Sequence, residues 1–167
     1  MATQTTSSKQ KITPFLWFND NAEEAVNFYT SVFKNSKTGA ISRYDEASAK
    51  ASGRPAGTVM TVSFELDGQD FMALNGGPEF QFTPAISLVV NCETQQEVDY
   101  FWDKLSEGGK EIECGWLQDK YGISWQVVPV VLGELMKSND PEKKGRVMEA
   151  LMKMKKLDVE KLEQAAK

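Results

Sequence analysis

The sequence predicts an α+β fold made of two βαβββ-like modules in a single domain. Early in the chain, the apolar spacing changes from that of a strand to that of a helix. Asp67-Gly68 is a strong signal for a two-residue hairpin turn. The same order of elements recurs roughly seventy residues later, and a chain of 167 residues can bury a core of ordinary size.

The first module covers about residues 11–78. Its first strand is Ile12 to Asn19, ITPFLWFN, which is apolar and aromatic enough to be mostly buried. A helix follows in DNAEEAVNFYTSVF, where Asp20 or Asn21 can supply the N-cap. Its expected inward stripe is Ala22, Val26, Tyr29 and Phe33. The strand GAISRYD, a polar loop through Ala47 to Gly57 and the hairpin TVMTVSFELDGQDFMALNGG complete the module.

The second module covers about residues 84–130 and repeats this order. AISLVVN predicts a strand, and ETQQEVDYFWDKL aligns without gaps with NAEEAVNFYTSVF. The alignment matches Val98 with Val26 and Leu105 with Phe33. A pair of glycines ends this helix, and KEIEC predicts the next strand.

A short hairpin, GWLQDKYGISWQVVP, ends the second module. Its second strand carries Trp125 and Val127 on one face and Gln126 on the other. Gln126 is therefore a polar side chain in the middle of a strand, and it needs an explanation.

Polar or helical segments flank the modules. Residues 1–10, MATQTTSSKQ, lack the basic and apolar regions of a secretory signal and are predicted to be a disordered lead-in. Residues 131–167 are predicted to be a helical tail, with a helix that starts at Asp140-Pro141. Its apolar stripe is expected to pack within the chain or in a homodimer, and it consists of Val147, Leu151 and Met154.

Composition argues against several classes of function. The chain has no histidine, which removes imidazole metal ligands and His-activated nucleophiles. Its net charge is −5 and it has no basic stripe before the tail, so nucleic acid is not an expected partner. No apolar run is long enough to cross a membrane, and two cysteines without a C-x-x-C pair suit a cytoplasmic protein. No nucleotide loop is visible, and no cofactor is predicted.

Four segments together resemble one known family. They are PFLWFNDNAEEAVNFY, MALNGGPEFQFTPAISLVV, CGWLQDKYGISWQVVP and the tail VMEALMKMKKLDVEKLEQA. In this order they resemble the PhnB-like branch of the vicinal oxygen chelate superfamily, also called the glyoxalase/bleomycin-resistance/dioxygenase superfamily. Proteins of this branch often carry the label 3-demethylubiquinone-9 3-methyltransferase. The chain itself shows neither a glycine-rich methyl-donor loop nor Rossmann-like alternation.

The resemblance implies that the two modules curve into a cupped sheet around a pocket. Metal-binding members take their ligands from the first and last strands of each module. The matching positions here are Pro14, Ala73 to Asn75, Ala85 and Gln126. Gln126 thus stands where a glutamate is usual, and a neutral amide with no charged companions is a poor anchor for a divalent ion. We expect no resident metal.

The residues we select as candidate ligand contacts are Gln126, Trp17, Asn75, Cys114 and Trp116. Each also has a purely structural interpretation. An amide on a sheet can bind a backbone group, a strand aromatic usually fills a core, and a thiol without histidine is usually inert. For Asn75, which precedes a glycine pair, the structural role is the stronger expectation.

The function that the resemblance implies is therefore left between two classes. The first is a protein that binds an unidentified small molecule in the cupped pocket without a metal, with Gln126 as the polar anchor. The second is a metal-dependent lyase, isomerase or oxygenase of the same superfamily, or the methyltransferase of the family label. Because the first helix and the tail carry more apolar surface than one shallow sheet covers, we expect a homodimer.

Overall fold

A computed structural model of the chain describes residues 10–167. The described chain divides into two compact units, one up to Gln81 and one from Phe82 onward. The predicted lead-in lies outside the described residues except for Gln10. The Gln10 side chain is held in place, because its amide nitrogen donates to the carbonyl of Asp70 at 3.1 Å and its oxygen accepts from the N–H of the same residue at 3.1 Å.

The first unit is a βαβββ module with one additional helix. Its elements are β1 (Phe15–Phe18), α1 (Ala22–Val32), β2 (Lys37–Arg43), α2 (Glu46–Ser52), β3 (Val59–Leu66) and β4 (Gln69–Asn75). The sheet order is β1-β4-β3-β2, with β1 and β4 parallel. The hairpin between β3 and β4 is confirmed: Asp67 and Gly68 have φ values of 46° and 80°, as a type I′ turn requires.

The helix α2 corrects the prediction of a polar loop from Ala47 to Gly57. The Asp45 side chain accepts from the N–H of Ser48 at 2.7 Å, and the Ser48 hydroxyl accepts from the N–H of Asp45 at 3.0 Å. This capping box starts the helix, and Gly53, at φ 71°, ends it in the left-handed conformation. None of its residues is buried, so no apolar period marks it in the sequence.

The helix α1 covers one face of the first sheet. Its buried residues are Ala22, Ala25, Val26, Tyr29 and Val32. The predicted stripe is correct for its first three members, but Phe33 lies beyond the last turn as the C-cap residue and is half-buried. Beneath the helix, β3 and β4 contribute buried residues such as Val62, Phe71 and Ala73.

The second unit repeats the first in topology, which confirms the predicted pair of modules and the α+β class. Its elements are β5 (Ser87–Cys92), α3 (Gln95–Ser106), β6 (Lys110–Glu111), β7 (Trp116–Gln118) and β8 (Ser124–Pro129). The sheet order is β5-β8-β7-β6, and β5 and β8, the first and last strands of the module along the chain, are parallel as β1 and β4 are.

The tail forms three helices: α4 (Val130–Met136), α5 (Pro141–Leu151) and α6 (Val159–Ala165). The start at Asp140-Pro141 is confirmed, because the Asp140 side chain accepts from the N–H of Glu142 at 2.9 Å. In the predicted stripe, Val147 is fully buried, while Leu151 and Met154 are half-buried. Within residues 10–167, no helix has the length and apolar character needed to span a membrane.

The segment between α5 and α6 is bound to the rest of the second unit. The Gln95 amide at the start of α3 donates to the carbonyl of Leu157 at 3.1 Å and accepts from the N–H of Val159 at 2.8 Å. The backbone N–H groups of Cys114 and Gly115 donate to the carbonyls of residues 154 and 155 at 2.7 and 2.8 Å. The tail therefore holds the connection that leads into β7.

Candidate ligand-binding site

The second sheet presents two chemically different faces. On β8, Trp125 and Val127 are 3% and 0% exposed and lie on the face toward α3. Gln126 points to the opposite face, which we call the open face. In register with Gln126 are Val89 on β5 and Trp116 on β7. Val89 is 50% exposed, so the centre of this face is accessible on the β5 side.

Among the described residues, the Gln126 amide has one hydrogen-bond partner, which is a side chain and not the backbone. Its nitrogen donates to the Ser87 hydroxyl at 2.8 Å. A serine hydroxyl both donates and accepts, so one of the two polar atoms of the amide stays available whichever way the amide is turned. Gln126 is half-buried and supports no backbone group among the described residues. This arrangement suits a polar contact to a ligand.

A second polar group lies beside Gln126 on the open face. Ser124 is two residues earlier on β8 and is in register with Ser87 on one side and Gln118 on the other. Ser124 is only 2% exposed, and its hydroxyl has no hydrogen-bond partner among the described residues. Ser124 was not predicted as a site residue, because a serine in a strand gives no sign in the sequence of whether its hydroxyl will be paired.

The turn before β8 fixes these side chains through Asp119. One carboxylate oxygen of Asp119 accepts from the backbone N–H groups of Tyr121 and Ile123 at 2.9 and 3.0 Å. The other accepts from the indole N–H of Trp125 at 2.7 Å. Gly122 has φ 93°, and its N–H donates to the carbonyl of Asp119 at 3.0 Å. The buried carboxylate thus orients β8, and with it the alternation that places Gln126 on the open face.

The positions that the sequence resemblance matches to metal ligands do not offer a set of metal donors in this chain. Pro14 has no donor side chain, and its carbonyl accepts from the N–H of Met72 at 2.9 Å. Ala73 is fully buried on the α1 side of the first sheet, and Ala85 lies in the turn before β5. Gln126 is left as a single neutral amide without charged companions, which is a poor anchor for a divalent ion. Across residues 10–167, no three Asp, Glu, Cys or His side chains are grouped so that they could hold a metal.

Asn75 and Trp17 belong to the first unit, and both are bound within it. Asn75 is 5% exposed and lies on the α1 side of its sheet. Its side-chain oxygen accepts from the N–H of Ala22 at 2.8 Å, and its nitrogen donates to the carbonyl of Val59 at 3.2 Å. Asn75 therefore caps α1, for which the expected caps Asp20 and Asn21 make no side-chain cap bond.

Trp17 is on the opposite face of the first sheet from Asn75. Its indole N–H donates to the carbonyl of Gly77 at 2.9 Å, and its ring meets Phe80 edge-on at 4.9 Å between centroids. A Cβ at Gly76 would collide with the indole, so the glycine there is required by close packing. The structure brings Trp116 and Gln126 together as cross-strand neighbours, whereas Trp17 and Asn75 lie in the other unit.

The two thiols differ in their surroundings. Cys92 is fully buried on the α3 side of β5, and burial raises the pKa of its thiol to about 12, with a smaller contribution from Glu97. Cys114 is half-buried just before β7, with a left-handed φ of 62°. Its backbone N–H donates a hydrogen bond to the tail, and Cys114 lies two residues before Trp116 in the sequence.

The match to a known protein family covers the two modules but not the tail. Residues 10–128 match the family 3-demethylubiquinone-9 3-methyltransferase. The tail, which the sequence resemblance had included, lies outside this match. No curated protein matches the chain.

Several solved structures are similar to this chain. A protein from Bacillus cereus, described as a putative 3-demethylubiquinone-9 3-methyltransferase and PhnB protein, is 45% identical, with a TM-score of 0.63. The similarity covers 72% of this chain and 99% of that one. A protein from Pseudomonas aeruginosa shares the fold at 21% identity and a TM-score of 0.57, over 72% of this chain and 97% of its own. The chain belongs to the PhnB-like 3-demethylubiquinone-9 3-methyltransferase family, and its two modules share one strand order.

Proposed function

We propose that this PhnB-like protein binds a small molecule on the open face of its second sheet, with Gln126 as the polar anchor, and that it does so without the superfamily's usual metal. The observation that carries the proposal is the Gln126 amide, which leaves one polar atom available and within residues 10–167 has only Ser87 as a hydrogen-bond partner. Trp116 lies next to Gln126 in register and offers an aromatic surface for a ligand.

Native mass spectrometry of the purified protein tests the proposal directly. We expect a stoichiometric small molecule to be present after gentle purification and to be lost when the protein is denatured. The same molecule should be reduced or missing in Gln126→Leu. Full retention by that variant would refute a role for Gln126 in binding.

Two enzymatic functions are the alternatives. The family description favours methyl transfer to a quinone precursor, and calorimetry with S-adenosylmethionine tests this activity, because a methyltransferase must bind its donor. A metal-dependent lyase, isomerase or oxygenase needs a divalent ion. Elemental analysis of protein purified without chelator would support this alternative, and contradict our proposal, if it found one metal ion per chain.

We also propose that the protein is a cytoplasmic homodimer. In support, several large apolar side chains are more than 45% exposed, including Phe15, Ile41, Phe80, Ile86 and Val89. The tail is less available than expected, since Val147, Leu157 and Leu162 are buried. Light scattering should give about twice the chain mass of 18.7 kDa, and a mass near that of one chain at high concentration would contradict the dimer.

A further inference from the structure

The Ser124 hydroxyl is a buried polar group beside Gln126 that has no hydrogen-bond partner within residues 10–167. The residue is 2% exposed, and no described residue accepts or donates a hydrogen bond to its hydroxyl. A buried hydroxyl without a partner is unfavourable, because it has lost its bonds to water and gained none in return. The cost of burying this hydroxyl is offset if a ligand supplies the missing hydrogen bond.

We propose that Ser124 and Ser87 together determine which ligand the open face accepts, namely an uncharged one whose polar end both donates and accepts hydrogen bonds. This inference rests on the proposed binding at Gln126. Ser124 and Ser87 face each other across β8 and β5, and Ser87 is already bonded to Gln126 at 2.8 Å. A carboxamide, or a carbonyl beside a hydroxyl, matches this combination of two hydroxyls and one amide.

The open face has no charged side chain on the strands β5, β8 and β7, and this supports a neutral ligand. The strand residues of β5, β8 and β7 on this face are Ser87, Val89, Asn91, Ser124, Gln126, Val128, Trp116 and Gln118. None of them is charged, and the nearest charged strand residue in register is the exposed Lys110 on the edge strand β6. A carboxylate or ammonium placed beside the buried Ser124 would lose its hydration without gaining an opposite charge.

Three simple aromatic probes separate the possible charge classes, because they share a ring and differ in the polar group. Benzamide is neutral, benzoate is an anion and benzylamine is a cation at neutral pH. Binding is followed by NMR through the side-chain amide signal of Gln126, which is identified by its loss in Gln126→Leu. We expect benzamide to shift this signal at lower concentration than the other two probes.

The matched variants are Ser124→Ala and Ser106→Ala, since Ser106 lies at the end of α3, on the other side of the second sheet. Ser124→Ala should weaken benzamide binding about five- to tenfold, the usual effect of losing one hydrogen bond. It should also raise the Tm of the ligand-free protein by about 2–4 °C, because an unpaired buried hydroxyl has been removed. Ser106→Ala should leave benzamide binding unchanged.

The outcomes distinguish this inference from the proposal on which it rests. A lower Tm in Ser124→Ala would show that the hydroxyl has a structural partner and would overturn the inference. Tighter binding of benzoate or benzylamine at the Gln126 signal would overturn the neutral class but support binding at Gln126. If none of the three probes shifts the signal, the inference about ligand class is wrong, while the co-purification experiment still decides the proposed function.

Discussion

Gln126→Leu should separate ligand binding from stability. The change removes one hydrogen bond, to a serine hydroxyl that is itself half-buried, and leaves no described backbone group without its partner. A typical hydrogen bond contributes about 0.5–1.5 kcal/mol net, and a leucine of similar volume recovers part of this by packing on the sheet. We therefore expect the free energy of unfolding to change by less than about 1 kcal/mol.

Binding should respond more strongly than stability. If the available amide atom of Gln126 pairs with the ligand, leucine leaves that ligand group unpaired at a cost of about 1–3 kcal/mol. This corresponds to a Kd that is higher by a factor of about 5–150. Titration of the co-purified molecule, or of benzamide, into wild-type protein and Gln126→Leu measures the difference.

Asn75→Leu is the matched control, because it also replaces a strand amide by leucine. Here two buried backbone groups lose their partners, the N–H of Ala22 and the carbonyl of Val59. At about 1–3 kcal/mol each, the loss of stability should reach about 2–6 kcal/mol in urea denaturation. Equal destabilisation by Gln126→Leu and Asn75→Leu would refute the reasoning, since it would mean that Gln126 also supports the fold.

Three further outcomes test other parts of the structure. Asp119→Asn should lower the free energy of unfolding by about 1–3 kcal/mol in urea denaturation, because asparagine has one acceptor oxygen where the carboxylate has two, so its NH2 group would face an N–H donor such as the indole of Trp125. An unchanged urea midpoint would contradict this role of Asp119. Gln95→Ala should speed tryptic cleavage in the segment between α5 and α6, because it removes both hydrogen bonds that the Gln95 amide makes to this segment. The matched control is Gln96→Ala, at the exposed neighbouring residue, which should leave the cleavage rate unchanged. At pH 8 a thiol reagent should not modify Cys92 in native protein, because its thiol is buried and a pKa of about 12 keeps it protonated, so at most Cys114 should react. After unfolding, both thiols should react. Modification of Cys92 in native protein would be inconsistent with its burial.

Much of the fold could be predicted because its signals are local. The hairpin at Asp67-Gly68 depends on two adjacent residues that accept positive φ. The repeat was visible because both modules use the same helical spacing between strands, and the register of Gln126 followed from alternation along β8. The short helix α2 was missed because capping at Asp45 and Ser48 forms it without any buried face.

The site could be predicted only in part, because its chemistry depends on partners that are distant in the sequence. Gln126 was identified from its position, but its bond to Ser87 joins residues 39 apart. Nothing near Ser124 in the sequence indicates that its hydroxyl is buried and unpaired. Asn75 was weighed as a ligand contact because side-chain type does not indicate which face of a strand binds a helix.

The cap that Asn75 provides for α1 has a consequence for how the two modules fold. The N-terminal N–H of α1 binds a side chain 53 residues away, so this helix gains its cap only when β4 has already reached the sheet. The equivalent helix α3 is capped locally, because Thr94 accepts from the N–H of Glu97 at 3.2 Å and the Glu97 carboxylate accepts from the N–H of Glu93 at 2.7 Å. The repeated modules therefore differ in contact order at matching positions: α3 can form early from its own sequence, whereas the first turn of α1 is completed late, together with its sheet.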